Sequence, residues 1–237
     1  GSHEVSLGAS GAFTNTGTVN VQAGTFSVGT AGAHTGIFNV SSGATLAVSR
    51  SYAITFGATS SLAGAGSLSV QSGTVNVLGG YSLAGGLGVS GGTLSFNTGS
   101  AKTLSTLDLT AGTLTGSDAL TVLGAVTLGN SATYSGTGGL TTQGTSTLAS
   151  GTFNLNGSTW NNAGTLVLNG NSALNLTGGV LNNLSGATLN LNSSAATVVT
   201  GSGTAALNNA GTINQLTAGS HAVSLGASGA FANTGAV

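Results

Sequence analysis

The sequence contains no proline, cysteine or methionine, and its charged residues are two Lys/Arg and three Asp/Glu, beside three histidines. Each absence excludes something. Without cysteine there is no disulfide and no thiolate metal site. Arg50 and Lys102 are too few to line a phosphate backbone or an anionic lipid surface, so nucleic acid is not an expected partner. No apolar run reaches the roughly 18–20 residues that cross a bilayer as a helix, so no transmembrane segment is expected. No charged stretch followed by an apolar one opens the chain as an export signal does, and with methionine missing it is expected to be an interior segment of a longer protein.

With 2% charged residues, where a soluble domain carries about a quarter, the solvated positions must be Ser, Thr, Asn, Gln and Gly. A Gly/Ser linker is excluded by the 39% of residues that are hydrophobic and by the regular recurrence of Val and Leu. A packed core is therefore expected under a polar, nearly neutral surface.

Two periods organise the chain. The short one consists of segments that alternate apolar and small polar residues after a glycine, as in Gly17-Thr18-Val19-Asn20-Val21, Gly73-Thr74-Val75-Asn76-Val77 and Gly92-Thr93-Leu94-Ser95-Phe96. Alternation at period two is the signature of a strand with one buried face. Turn positions 73, 92, 112, 131, 151 and 171 lie about 20 residues apart, which fits one coil of three short strands and is too short for a β-α-β unit. The expected fold is all-β, a parallel β-helix (β-solenoid) over residues 1–237. Roughly 12 coils rising about 4.8 Å each would make a rod on the order of 55 Å long. Proline is missing because nearly every backbone N–H has to reach a neighbouring coil, and glycine serves the corners. The pairs Asn161-Asn162, Asn182-Asn183 and Asn208-Asn209 are candidates for stacked amide ladders at equivalent turns. Residues 49–61, around Arg50-Ser51-Tyr52, break the rhythm and predict an irregular coil or a protruding loop.

The long period is carried by residues 1–19, GSHEVSLGASGAFTNTGTV, which return as residues 219–237, GSHAVSLGASGAFANTGAV, with 16 of 19 positions identical and an offset of 218. Such identity is too high for two neighbouring coils. Residues 1–218 therefore read as one long unit and 219–237 as the start of the next, so that neighbouring units of the same chain are the first expected partner. A solenoid cut within such an array leaves unpaired strand edges and predicts head-to-tail self-association.

The motif of a large apolar residue, x, Asn, x, Gly, Thr/Ala and an aliphatic occurs at Phe13–Val19, Trp160–Leu166 and Leu207–Ile213 and begins again at Phe231. It resembles the coils of filamentous-haemagglutinin-like large exoproteins, adhesins of the two-partner secretion type. A second pattern, Gly64-Ala65-Gly66-Ser67-Leu68 and Gly136-Thr137-Gly138-Gly139-Leu140, is similar to repeats of autotransporter passengers. The resemblance implies a right-handed β-helix in a secreted protein of the bacterial cell surface. Its implied role is the structural shaft of an adhesin fibre, and the alternative is an adhesive module whose Ser/Thr/Asn faces contact glycans, host or abiotic surfaces, or other fibres.

Enzymatic β-helices need convergent carboxylates, basic residues or a metal. Here the acids are Glu4, Asp108 and Asp118, and the copy of Glu4 is Ala222. Asp108 and Asp118 read as solvated surface acids, and His3, His34 and His221 as surface histidines without metal-ligand spacing. Trp160 sits at the motif's apolar position and is expected in the core, while Tyr52, Tyr81 and Tyr134 are open. No enzyme activity, cofactor or metal is expected.

Overall fold

The computed structural model describes residues 4–8, 11–218 and 221–237, and none of these is helical. The strands are stacked coils joined by parallel ladders, a β-solenoid of about 11 turns at ~21 residues per turn. The chain crosses three faces in a fixed order. Face one is an 11-stranded sheet running from Glu4–Gly8 to Thr212–Gln215, and face two a 10-stranded sheet from Gly32–His34 to Ala222–Ser224. Face three carries a four-stranded sheet, Thr18–Val21 to Gly80–Leu83, followed by a seven-stranded one, Lys102–Leu104 to Ala230–Asn233. These two sheets share a side of the rod, since every strand in either of them follows a face-two strand and precedes a face-one strand. The break between them falls where a longer corner, residues 97–101, replaces the two-residue corner of Leu78 and Gly79.

Period-two alternation sets which side chains enter. Thr74–Val77 pairs with Thr93–Phe96 residue for residue, so Val75 lies on Leu94 and Val77 on Phe96 inside the rod, while Thr74 and Thr93 stay toward solvent. On face one the inward column runs Phe26, Leu46, Leu68, Leu87, Leu107, again by direct pairing. Because each coil is one residue layer thick, every inward side chain is sandwiched by the coils above and below. Burying such a Leu or Val stabilises by about 1.5–3 kcal/mol.

The coil count is slightly below the 12 expected from 20-residue spacing, because the later coils lengthen. Leu166 pairs with Leu189 and Leu189 with Ile213, steps of 23 and 24 residues. The added length lies partly in six-residue strands such as Thr165–Gly170 and Thr188–Ser193. Residues 49–61 are neither a protrusion nor an irregular coil. Ala53–Phe56 pairs in full register with Thr74–Val77, and only the corner 49–52 is one residue longer than the corner 71–73 above it. The alternating core residues Ile54 and Phe56 hold the strand in place, both fully buried. His3, part of the recurrent segment, lies outside the described residues.

Gly73, Gly92 and Gly112 stack at the corner entering face two with φ of 76°, 66° and 73°. A Cβ on Gly92 would sit 2.3 Å from the Gly73 carbonyl oxygen. Gly92→Ala therefore combines a left-handed backbone with a backbone clash and is expected to cost more than the ~1–2 kcal/mol of the conformation alone. Gly88→Ala, whose Cβ would find its nearest atom at 3.9 Å, is expected to change stability by less than about 0.5 kcal/mol. Urea unfolding of the two variants checks the contrast.

Candidate functional site

The recurrent asparagine is the most developed polar arrangement in the molecule. Asn162, Asn183 and Asn209 lie at the ends of the face-three strands Thr159–Asn162, Val180–Asn183 and Ala206–Asn209, within strands where stacked turns were expected. Each points inward and is buried, at 0%, 1% and 2% exposure. Their amides form one column: Asn162 Nδ2 donates to Asn183 Oδ1 at 2.8 Å, Asn183 to Asn209 at 2.7 Å and Asn209 to Asn233 at 2.7 Å.

The second amide hydrogen is used as well. Asn162, Asn183 and Asn209 donate at 3.0 Å to the carbonyls of Thr188, Thr212 and Ala236, each in the next coil and past the corner. Asn15 repeats the device, donating to Ile37 O at 3.0 Å and accepting from Gly17 N at 3.0 Å. The motif's spacing thereby acquires a cause. The Asn oxygen caps the Gly N–H two residues on, which shapes the corner, and the nitrogen ties that corner to the coil above. A buried amide is tolerated there because both its hydrogens and its oxygen are bonded.

Asn161, Asn182 and Asn208 occupy the alternate positions of the same strands and point outward. Asn182 donates to Asn161 at 2.8 Å and Asn208 to Asn182 at 2.9 Å, forming an exposed-side row parallel to the buried column. Sequence reasoning missed further rows: Asn175 on Asn154, Asn192 on Asn169, Asn214 on Asn190 and Asn39 on Asn20. Their separations of 19 to 24 residues drift with coil length, so no single period exposes them.

Two titratable groups read as solvated are not. Asp118, at the corner between faces two and three, is 5% exposed. It accepts from Thr98 N at 2.9 Å, Thr98 Oγ1 at 2.7 Å and Gly99 N at 3.0 Å. Burial pushes its carboxyl up, but these bonds and the Lys102 charge outweigh it and hold the pKa below the ordinary carboxylate value. The residues 97–101 form the long corner where face three is interrupted, and Asp118 supplies the acceptors that its exposed backbone lacks. Asp108 is exposed on face one, so the two acids do not converge.

His34 is fully buried, with the rings of Phe13, Phe38 and Phe56 at 5.2, 5.2 and 5.3 Å. Its Nδ1 accepts from Asn15 N at 3.1 Å, which assigns the ring proton to Nε2. Burial lowers its pKa below the ordinary 6.5. Among the aromatics, Trp160 is core and its Nε1 donates to Thr142 Oγ1 at 3.0 Å, Tyr81 and Tyr134 are buried, and Tyr52 is 43% exposed. Tyr52 flanks a shallow groove with Ser49, Arg50, Ser51 and Ser72.

Among the described residues, no group of three or more His, Cys, Asp or Glu is placed to hold a metal ion, and no helix is long and apolar enough to cross a membrane. Comparison with family models, curated proteins and solved structures returns no match.

Removing the side chain of Asn183 strands the amide of Asn162 and the oxygen of Asn209 inside the rod. Asn183→Ala is expected to lower unfolding free energy by about 2–3 kcal/mol, against under about 1 kcal/mol for the outward Asn182→Ala, by urea titration. His34 imposes a pH dependence of known sign. Its folded pKa lies below its unfolded one, so the stability it contributes is complete above about pH 6.5 and is lost as pH falls toward the folded value. Thermal unfolding between about pH 7.5 and 5 should show that loss, and His34→Phe should flatten it.

Proposed function

We propose that this chain is a shaft segment of a long secreted fibre, in which 218-residue units follow one another and hold distal parts of the parent protein away from the cell surface. The observation that carries the reading is the way the second copy of the recurrent segment is built in. Its strand Ala230–Asn233 continues face three in register, Leu207 on Phe231 and Asn209 on Asn233, and extends the buried amide column by one more rung. A new unit thus begins as another coil, with no linker or change of fold. Every coil is bonded to its neighbours through the backbone, so extension along the axis works against parallel hydrogen bonds and a continuous core. The motif's likeness to filamentous-haemagglutinin-like exoproteins and autotransporter passengers supports placing the fibre on a bacterial surface and its role in adhesion.

A second reading, an adhesive face, is favoured by the outward asparagine rows, which present regular amides to glycans or to a neighbouring fibre. Many weak polar contacts repeated along a rod bind through avidity. Lengthening separates the two. Chains of one, two and three units should grow by about 50 Å per unit in solution scattering, one strand spacing per coil. Units that scatter as flexibly joined beads would overturn the shaft. Deleting units from the parent should shorten the fibre and leave binding per exposed tip unchanged, whereas binding that falls in proportion to the units removed supports the adhesive face.

A further inference from the structure

The two copies of the recurrent segment occupy different faces of the same rod. In the first copy, the strand Glu4–Gly8 lies on face one, where Val5 pairs with Phe26. In the second, Ala222–Ser224 lies on face two, where Val223 pairs with Val199. Phe13–Asn15 runs beneath the face-two strand Gly32–His34, bonded through Phe13 N to Ala31 O and Thr35 N to Asn15 O, which places Thr14 beneath Ala33. Its counterpart Phe231–Asn233 lies on face three. Thr18–Val21 lies on face three, whereas Ala236, the counterpart of Thr18, bridges to Thr212 of face one. All three parts move by one face in the direction of chain travel. The cause is length: 218 residues at ~21 per turn make roughly ten and a third coils.

We infer that the open end formed by residues 221–237 is the seat for the first coils of a following copy of this unit, and that each unit is therefore set one face round the rod from the unit before it. The inference rests on the tandem-shaft reading. What covers the end can be read from the first copy. Phe13 packs against Phe26 at 6.1 Å and His34 at 5.2 Å, while its counterpart Phe231 is 51% exposed. Beside Phe231 is a hollow of about 330 Å³ bordered by Leu191, Ile213 and Val223. Asn15 Nδ2 donates to Ile37 O, whereas Asn233 Nδ2 turns back to Gly235 O at 3.3 Å. In an array the following unit's Phe26 and His34 close over Phe231, and its Ile37 carbonyl takes the Asn233 amide.

The order of faces is preserved by this step, since faces one, two and three of the following unit continue faces two, three and one of the preceding unit. Three units restore the phase. Any feature confined to one side of a unit, such as the Asn161–Asn182–Asn208 row or the Tyr52 corner, is consequently shown on all three sides of the shaft, one side per unit. A fibre built this way offers the same contact in every direction without a symmetric sequence inside the unit.

The chain lacks cysteine, so pairs of spin labels can be placed without background in a chain carrying two units. Asn208→Cys on face three of the first unit is paired with Ala33→Cys of the second. In the rotated array these positions share a column, Asn208 under Ala232 and Ala232 under the following Ala33, two strand spacings or about 10 Å apart along the axis. The comparison pair places Thr200→Cys, on face two of the first unit, with the same Ala33→Cys. The expected result is a short distance from position 208 and a longer one from position 200. A short distance from 200 with a long one from 208 means that the units stack in phase and overturns the rotation alone. Two long distances mean that the second unit does not seat on the first, which overturns the shaft reading together with the inference. Ala206→Cys, on the same face-three strand, repeats the first pair with the asparagine row intact.

Discussion

Almost everything in this molecule follows from one requirement, that the backbone of each coil hydrogen-bond to the coils on either side at a single strand spacing. A chain that meets it along its whole length has no room for proline, because a missing N–H would interrupt a ladder, and its corners must let backbones approach closely. The stacked Gly73, Gly92 and Gly112 show the second half of the constraint: their left-handed conformation and their contact with the carbonyl below exclude a side chain. The same spacing governs side chains. Like residues fall on like residues, so Leu stacks on Leu inside and Asn on Asn at the edges, and each stack repeats an interaction that works once.

The asparagine column is the polar counterpart of the aliphatic core. Its members are buried where an unbonded amide would be costly, yet each satisfies its neighbour and ties a corner to the next coil. Asp118 does related work at the one long corner of face three, where stacking alone leaves the N–H groups of Thr98 and Gly99 unmet. His34 is different in kind. It fills space among three phenylalanine rings and is held neutral by burial, so its contribution to the rod is conditional on pH.

Extension and rotation are two consequences of the same unit length. Because the fold continues wherever a coil ends, a repeat does not have to contain a whole number of coils, and 218 residues do not. The recurrent segment keeps its internal spacing while occupying a new set of faces, which is possible because it makes its contacts through the backbone and through a motif that any of the three faces accepts. Asn15 on face two and Asn233 on face three occupy the same place in that motif and differ only in what lies above them.

The sequence by itself determined the solenoid, the coil length to within about a residue, the burial of Trp160 and the asparagines that stack, because these rest on local alternation and on a recurring motif that ordinary stereochemistry translates directly. It misplaced residues 49–61, His34 and Asp118, and for a common reason. Period and composition describe an average coil, whereas these residues answer to one particular neighbour: a corner one residue longer, a cluster of rings, a pair of open N–H groups. The face on which each copy of the recurrent segment lies was decided only in three dimensions. It depends on the sum of every corner and strand between residues 5 and 223, and a single added residue leaves no mark on the local pattern while displacing everything that follows.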